Sequence, residues 1–150
     1  MRTGNSYDLH NLIPGEFISL GGVKIPCQCQ VQSISDGDIL LHTISEAIIG
    51  ALGFGDLGDW FDESNVGLSS QIILAKALDL LKDQNYEIAN VDSTIIVDSP
   101  KLQPHKENIK DNLVKLLNVN PSQVNIKATT SEQNFPSIIQ AYTTVLLIKK

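Results

Sequence analysis

The chain has 150 residues, with 17 acidic against 11 basic side chains and a formal net charge of −6. A single domain over residues 1–150 is expected; a chain of this size buries roughly 70% of the surface its unfolded form exposes, so it needs no disulfide to stay folded. The acidic balance excludes a nonspecific nucleic-acid binder, which needs a basic face. The absence of any run of roughly eighteen apolar residues gives no membrane-spanning helix.

An anionic small substrate remains compatible with this charge, because a bound cation or backbone N–H groups can supply a positive field locally. The opening MRTGNSYDLH has no apolar signal-like core. We therefore expect a cytoplasmic protein, or one of an organellar stroma where a transit peptide has been removed.

The first ten residues alternate loosely and predict a strand. Phe17–Ile25 carries Gly21-Gly22 between apolar residues, which predicts a hairpin. Cys27 and Cys29 would point the same way on an extended segment, and a bridge between them would close a strained loop; free thiols are expected. Gln28–Ser35 reads as a polar loop. From Asp36 to Leu52, Ile39, Leu40, Ile44, Ala47, Ile48 and Ala51 recur at helical spacing, with Ser35 or Asp36 as the N-cap and Gly53 as the stop. Gly53–Gly67 is rich in glycine and acid and reads as a loop.

A second helix is expected over Leu68–Lys82, with Leu68, Ile72, Ala75, Leu78 and Leu81 on one face. Ile88–Val97 has the β-branched content of a strand. Pro104 suits the first turn of a third helix, whose apolar stripe is Ile109, Leu113, Leu116 and Leu117. Val124–Thr130 and Ala141–Ile148 are two further strands. This order predicts an α/β (α+β) fold, a mixed β-sheet with helices packed on one face.

Four groups of residues could carry chemistry. Asp8 and His10 are two apart on a strand and share a face, and His42 lies early in the first helix. One carboxylate and two imidazoles make a three-ligand zinc set with a fourth position free; ordinary surface and core residues fit the same spacing. Ser35-Asp36-Gly37-Asp38 precedes the helix of His42; on local grounds it reads first as a cap, a role that can coexist with a phosphate-binding helix start. Gly55–Glu63, GDLGDWFDE, is a tight acidic turn that either contacts sugar hydroxyls or a cation, or is simply solvated. Ser99–His105 offers Lys101 to a phosphate, and Lys127–Glu132 offers Thr129, Thr130 and the carboxylate of Glu132, a suitable oxygen ligand for a harder cation such as magnesium.

Taken together and in this order, RTGNSYDLH, LGGVKIP, SDGDILLH, GDLG, NVDSTIIVDSPKLQPH and VNIKATTSE resemble the 2-C-methyl-D-erythritol 2,4-cyclodiphosphate synthase family, across nearly the whole chain. The resemblance implies a homotrimer with active sites between neighbouring subunits. It implies a lyase of isoprenoid precursor synthesis acting on a cytidine diphosphate substrate, 4-diphosphocytidyl-2-C-methyl-D-erythritol 2-phosphate, to give the 2,4-cyclodiphosphate and CMP. By match to its motifs, Asp8, His10 and His42 would hold one Zn2+ per subunit, and Glu132 a second divalent cation, Mg2+ or Mn2+. Ser35 would meet a phosphate, while Asp56 and Gly58 would contact the ribose or the erythritol part. Val97, Pro100, Lys101, Leu102, Thr129 and Thr130 would form the cytidine and α-phosphate pocket, and Glu63 and Phe135 would be further substrate-binding residues.

The chain departs from the family pattern at several of these places. Ile34 stands where a phosphate-holding histidine is usual, Glu46 where an aspartate is usual, and Gln133 where a lysine is usual. The segment Asn134–Gln140 is shorter than its family counterpart and lacks the arginine. A non-catalytic trimeric relative that binds zinc and a cytidine nucleotide is the other reading these departures leave open.

Overall fold

The computed structural model describes residues 1–62, 64 and 67–150. Five strands form one sheet: β1 (Arg2–Pro14), β4 (Cys29–Val31), β5 (Tyr86–Ile96), β6 (Val124–Thr129) and β7 (Ile138–Lys149), in the order β4-β1-β7-β5-β6. A separate hairpin pairs β2 (Phe17–Leu20) with β3 (Val23–Pro26), turning at Gly21-Gly22 as expected. Only β5 and β6 are parallel. Parallel neighbours need a crossover, and α4 (Lys106–Leu117) supplies it. Among the described residues the other helices are α1 (Ile39–Leu52), α2 (Leu57–Trp60) and α3 (Ser70–Asp83), and 3-10 turns lie at Gln103–His105 and Pro121–Gln123. The sheet is mixed, as expected.

Strict alternation decides which face of the sheet is covered. In β7, Ile139, Ala141, Thr143, Val145 and Leu147 are buried, and Tyr142 between them is 49% exposed. Helix α1 lies across β1 and β7 with α3 against it, so most of its residues are buried. It comes close to the sheet at Gly4, where a Cβ would fall 2.0 Å from the Ala47 carbonyl oxygen. A chain of buried hydroxyls sets the register: Thr43 Oγ1 lies 2.9 Å from Thr143 Oγ1, which lies 2.8 Å from Ser93 Oγ. The residue before Thr43 is His42, so this pin also fixes the position of that imidazole.

The N-cap of α1 is Asp38, not Ser35 or Asp36. Its buried carboxylate accepts from the N–H groups of Leu41 (3.0 Å), Gly21 (3.0 Å) and Gly22 (2.7 Å), so it caps the helix and holds the hairpin turn at once. Gly53 ends α1 in the left-handed region, φ 83°, as expected. Three other expectations need correction. Cys29–Val31 is a strand within the segment read as a loop, paired with the end of β1 through Leu12↔Val31. The acidic loop contains the single turn α2. The buried face of α3 is Ile73, Leu74, Ala77 and Leu81, with Ile72 54% exposed, because the helix starts at Ser70. The stripe of α4 holds at Ile109, Leu113 and Leu117, all buried.

Among the described residues no helix covers the other face of the sheet. Tyr7, Leu9 and Tyr142 are exposed there, and the two tyrosine rings meet at 4.6 Å. Among the described residues no helix is long and apolar enough to cross a membrane. Cys27 and Cys29 are free thiols with sulfurs 3.4 Å apart; burial, followed by Cys27 itself, pushes the Cys29 thiol up to about 11.

Candidate active site

Asp8, His10 and His42 line one cavity of about 320 Å³. The first two arrive on the helix-covered face of β1, and the third comes from the first turn of α1, whose N–H donates to the Asp38 carbonyl. His10 Nε2 lies 3.1 Å from Asp8 Oδ2. The hydrogen bond to Asp8 holds the His10 imidazole above its usual range; the Asp8 charge and the backbone of Gln32 reinforce this against the opposing effect of burial. Across the cavity, His42 Nε2 lies 2.8 Å from Ser70 Oγ, and Ser70 Oγ in turn contacts the carboxylate of Asp36.

Among the described residues no three His, Cys, Asp or Glu side chains are gathered tightly enough to hold a metal as they stand. The donor set nonetheless fits zinc in type and in part of its spacing. Tetrahedral zinc with bonds of about 2.0–2.1 Å has neighbouring donors roughly 3.3 Å apart. The Asp8–His10 contact of 3.1 Å is close to such an edge. The second imidazole, His42, lines the same space.

The cavity wall continues through Ser35, Ile34, Glu46 and Gly58. Ser35 Oγ lies 3.0 Å from Ser33 Oγ and accepts from the Gly37 N–H at 3.2 Å. Ile34 is 68% exposed and presents only carbon to the space. Glu46 accepts from the Ser6 hydroxyl at 2.6 Å and from the Leu57 N–H at 3.2 Å, so the side chain of α1 reaches out to hold the start of α2.

A second cavity, about 170 Å³, is lined by Val97, Pro100, Lys101, Leu102, Thr129 and Thr130, together with Asp98, Gln103 and Ala128. The parallel pairing of β5 with β6 brings the ends of these strands together. Asp98 locks the following turn, accepting from the Ser131 N–H at 2.6 Å and from the Ser131 hydroxyl at 2.7 Å. Among the described residues, none lines both cavities.

Comparison with known proteins decides the family. The model of the YgbB family matches residues 1–148. The chain belongs to the YgbB family. It is 43% identical to the 2-C-methyl-D-erythritol 2,4-cyclodiphosphate synthase of Fusobacterium nucleatum, covering all of this chain (100%) and 98% of that one. It is also 43% identical to the chloroplastic synthase of Arabidopsis thaliana, over 99% of this chain and 68% of the relative. Among solved structures, a synthase of the same name in its CDP-bound form superposes with a TM-score of 0.93 at 31% identity, covering 98% of this chain and 100% of that one. A CDP complex from Plasmodium falciparum gives 0.88 at 37% identity, over 99% and 96% of the two chains.

For a YgbB-family chain the grouping of the expected site residues is uneven. Asp8, His10, His42, Ser35 and Gly58 meet at the first cavity, and the six from Val97 to Thr130 at the second. Asp56 does not line the first cavity. Its carboxylate instead accepts from the Asp59 N–H in a capping box for α2. Glu132 and Phe135 are exposed and line neither cavity; Glu132 sits at φ 53° in the turn that Asp98 and Ser131 hold. Glu63 lies outside the described residues. Sequence reasoning missed Ser70 and Asp98 and read Asp36 only as part of a cap or phosphate-binding helix start. Their partners are 34, 33 and 34 positions away, so no local spacing marks them.

Proposed function

We propose that this YgbB-family chain is itself a 2-C-methyl-D-erythritol 2,4-cyclodiphosphate synthase, acting on 4-diphosphocytidyl-2-C-methyl-D-erythritol 2-phosphate in isoprenoid precursor synthesis. The observation that carries the proposal is the meeting of Asp8, His10 and His42 at one cavity, in a chain that matches synthases over its full length. An oxygen of the 2-phosphate bonds to the β-phosphorus; the bond from that phosphorus to the bridging oxygen breaks, and CMP leaves with the electron pair. No covalent enzyme intermediate is needed. Such a transfer depends on positioning and on neutralising phosphate charge.

Asp8, His10 and His42 would hold zinc, which when bound supplies Lewis acidity at a phosphate oxygen. Glu132 would hold magnesium or manganese, its carboxylate being exposed at the rim of the turn after β6. Ser35 would meet a phosphate at the entrance to α1, and Gly58, Asp56 and Glu63 the sugar. Lys101, Thr129, Thr130 and the apolar Val97, Pro100 and Leu102 would receive cytidine and its phosphate, and Phe135, exposed outside that cavity, would be a further substrate contact.

The two cavities share no described residue on one chain, which supports a composite site made between subunits. The helix-free sheet face with Tyr7, Leu9 and Tyr142 gives those subunits an apolar surface to meet on. The assembly proposed is a homotrimer of single-domain chains in the cytoplasm or an organellar stroma. Light scattering should return three times the chain mass of 16.4 kDa; a stable monomer would contradict the composite site.

The direct test is to incubate the protein with the 2-phosphate substrate, zinc and magnesium and to measure products. CMP and cyclic diphosphate in equal amounts are expected. A linear product would indicate hydrolysis instead. Tight cytidine nucleotide binding without turnover would indicate the non-catalytic relative, the outcome that Ile34 in the cavity wall favours.

A further inference from the structure

We propose that Ser70, oriented by Asp36, is a positioning residue that fixes His42 as its Nε2–H tautomer and leaves Nδ1 as the basic nitrogen available to a ligand. The metal half of this inference rests on the proposed function; the tautomer half does not. Ser70 is the first residue of α3 and is fully buried, so water does not substitute for its hydroxyl. Asp36 lies in the turn before α1. Its Oδ2 accepts from the Ser70 N–H at 2.9 Å, its Oδ1 contacts Ser70 Oγ, and Oδ1 also accepts from the Asp38 N–H at 3.3 Å. Thus one carboxylate is held by two backbone groups and grips both polar atoms of Ser70.

Proton counting then sets the direction of each bond. An ionised carboxylate only accepts, and a hydroxyl has a single proton. That proton goes to the carboxylate, the stronger acceptor. Facing His42, Ser70 Oγ has only lone pairs to offer, so Nε2, 2.8 Å away, must be the donor. The reverse arrangement would place Ser70 Oγ and Asp36 Oδ1 in contact with no proton between them. A neutral imidazole has one N–H, which leaves Nδ1 with the free lone pair. Partners behind a ligating histidine are known to set its tautomer and orientation in this manner, and losing them costs about 10- to 100-fold in metal affinity.

Long-range proton–nitrogen NMR on metal-free, histidine-labelled protein at about pH 8.5, above the ordinary imidazole range, reads the tautomer directly. Wild type should show His42 protonated at Nε2. Ser70→Ala should give a mixture of tautomers and weaken zinc binding, measured by chelator competition, about 10- to 100-fold. Ser70→Thr, which keeps the hydroxyl, should restore both, and Asp36→Asn should act in the same direction as Ser70→Ala. An Nδ1–H signal in wild type overturns the proposal even if every variant misfolds. So does a Ser70→Ala protein with unchanged tautomer and zinc affinity. Wild type that holds the Nε2–H form through Ser70 yet binds no zinc upholds the relay and removes the metal reading alone.

Discussion

Asp8 Oδ2 and His10 Nε2 stand 3.1 Å apart, two residues along the same strand, at one wall of the cavity that His42 closes from α1. In metal-free protein the contact acts as an ion pair that raises the His10 pKa. Both side chains are less than a third exposed, 24% and 31%, so solvent screens the pair only partly. A raised folded-state pKa means that the stabilisation is fully present below the unfolded value of about 6.5 and is lost as pH rises through the folded value. Asp8→Asn should therefore lower the His10 pKa in an NMR titration. It should also destabilise metal-free protein most in mildly acid solution, with the difference from wild type fading toward alkaline pH. An unchanged His10 titration would remove the pair.

Glu46 bridges Ser6 on the sheet to the Leu57 N–H at the head of α2. Replacing it by alanine frees the acidic loop without opening the core. Hydrogen bonds to a charged group contribute about 1.5 kcal/mol or more, so exchange of the Leu57 amide should quicken roughly tenfold. The loop is proposed to position the sugar, so KM should rise more than kcat falls. Equal exchange in both proteins would show that the loop holds itself.

Asp38 is 1% exposed and accepts three backbone N–H groups. Alanine there strands all three donors in the interior, at about 1–3 kcal/mol each, and removes the cap of α1. Asp38→Ala should lose at least about 3 kcal/mol in urea unfolding. A loss under about 1 kcal/mol would mean that water or a rearranged turn replaces the carboxylate.

Ile34 presents carbon to the cavity beside Ser35. Ile34→His adds a donor where phosphate charge is proposed to develop. A well-placed donor of that kind is worth up to about 10²-fold in rate. Turnover of the 2-phosphate substrate should rise, and a fall would show that Ile34 packs against substrate in a way a polar ring cannot.

The parts of this molecule legible in sequence are those that local periodicity controls. α1, α4 and the long strands follow from spacing alone, and Gly53 from the left-handed conformation a helix stop requires. The start of α3 was misread because Leu68 continues the apolar pattern beyond the capping Ser69. β4 is missed because a three-residue strand, Cys29-Gln30-Val31, is too short for its alternation to stand out from a loop. Asp8, His10 and the residues from Val97 to Thr130 were legible only through the family likeness, which binds weak motifs into one order. Ser70 and Asp98 were illegible for a different reason. Ser70 acts on His42, 28 positions away, and Asp98 on Ser131, 33 positions away, and nothing in the local sequence distinguishes such a residue from a helix start or a turn. His42 lies between these cases, since its motif was visible but the buried partner behind its ring was not.

The central claim is that three side chains from β1 and α1 serve one cation. Zinc bound per chain, measured by elemental mass spectrometry after dialysis, tests it in wild type beside Asp8→Asn, His10→Ala and His42→Ala. The account predicts one zinc per chain in wild type and a near-complete loss in each variant. Zinc retained at full occupancy in His42→Ala, or absent from wild type after reconstitution, would contradict it.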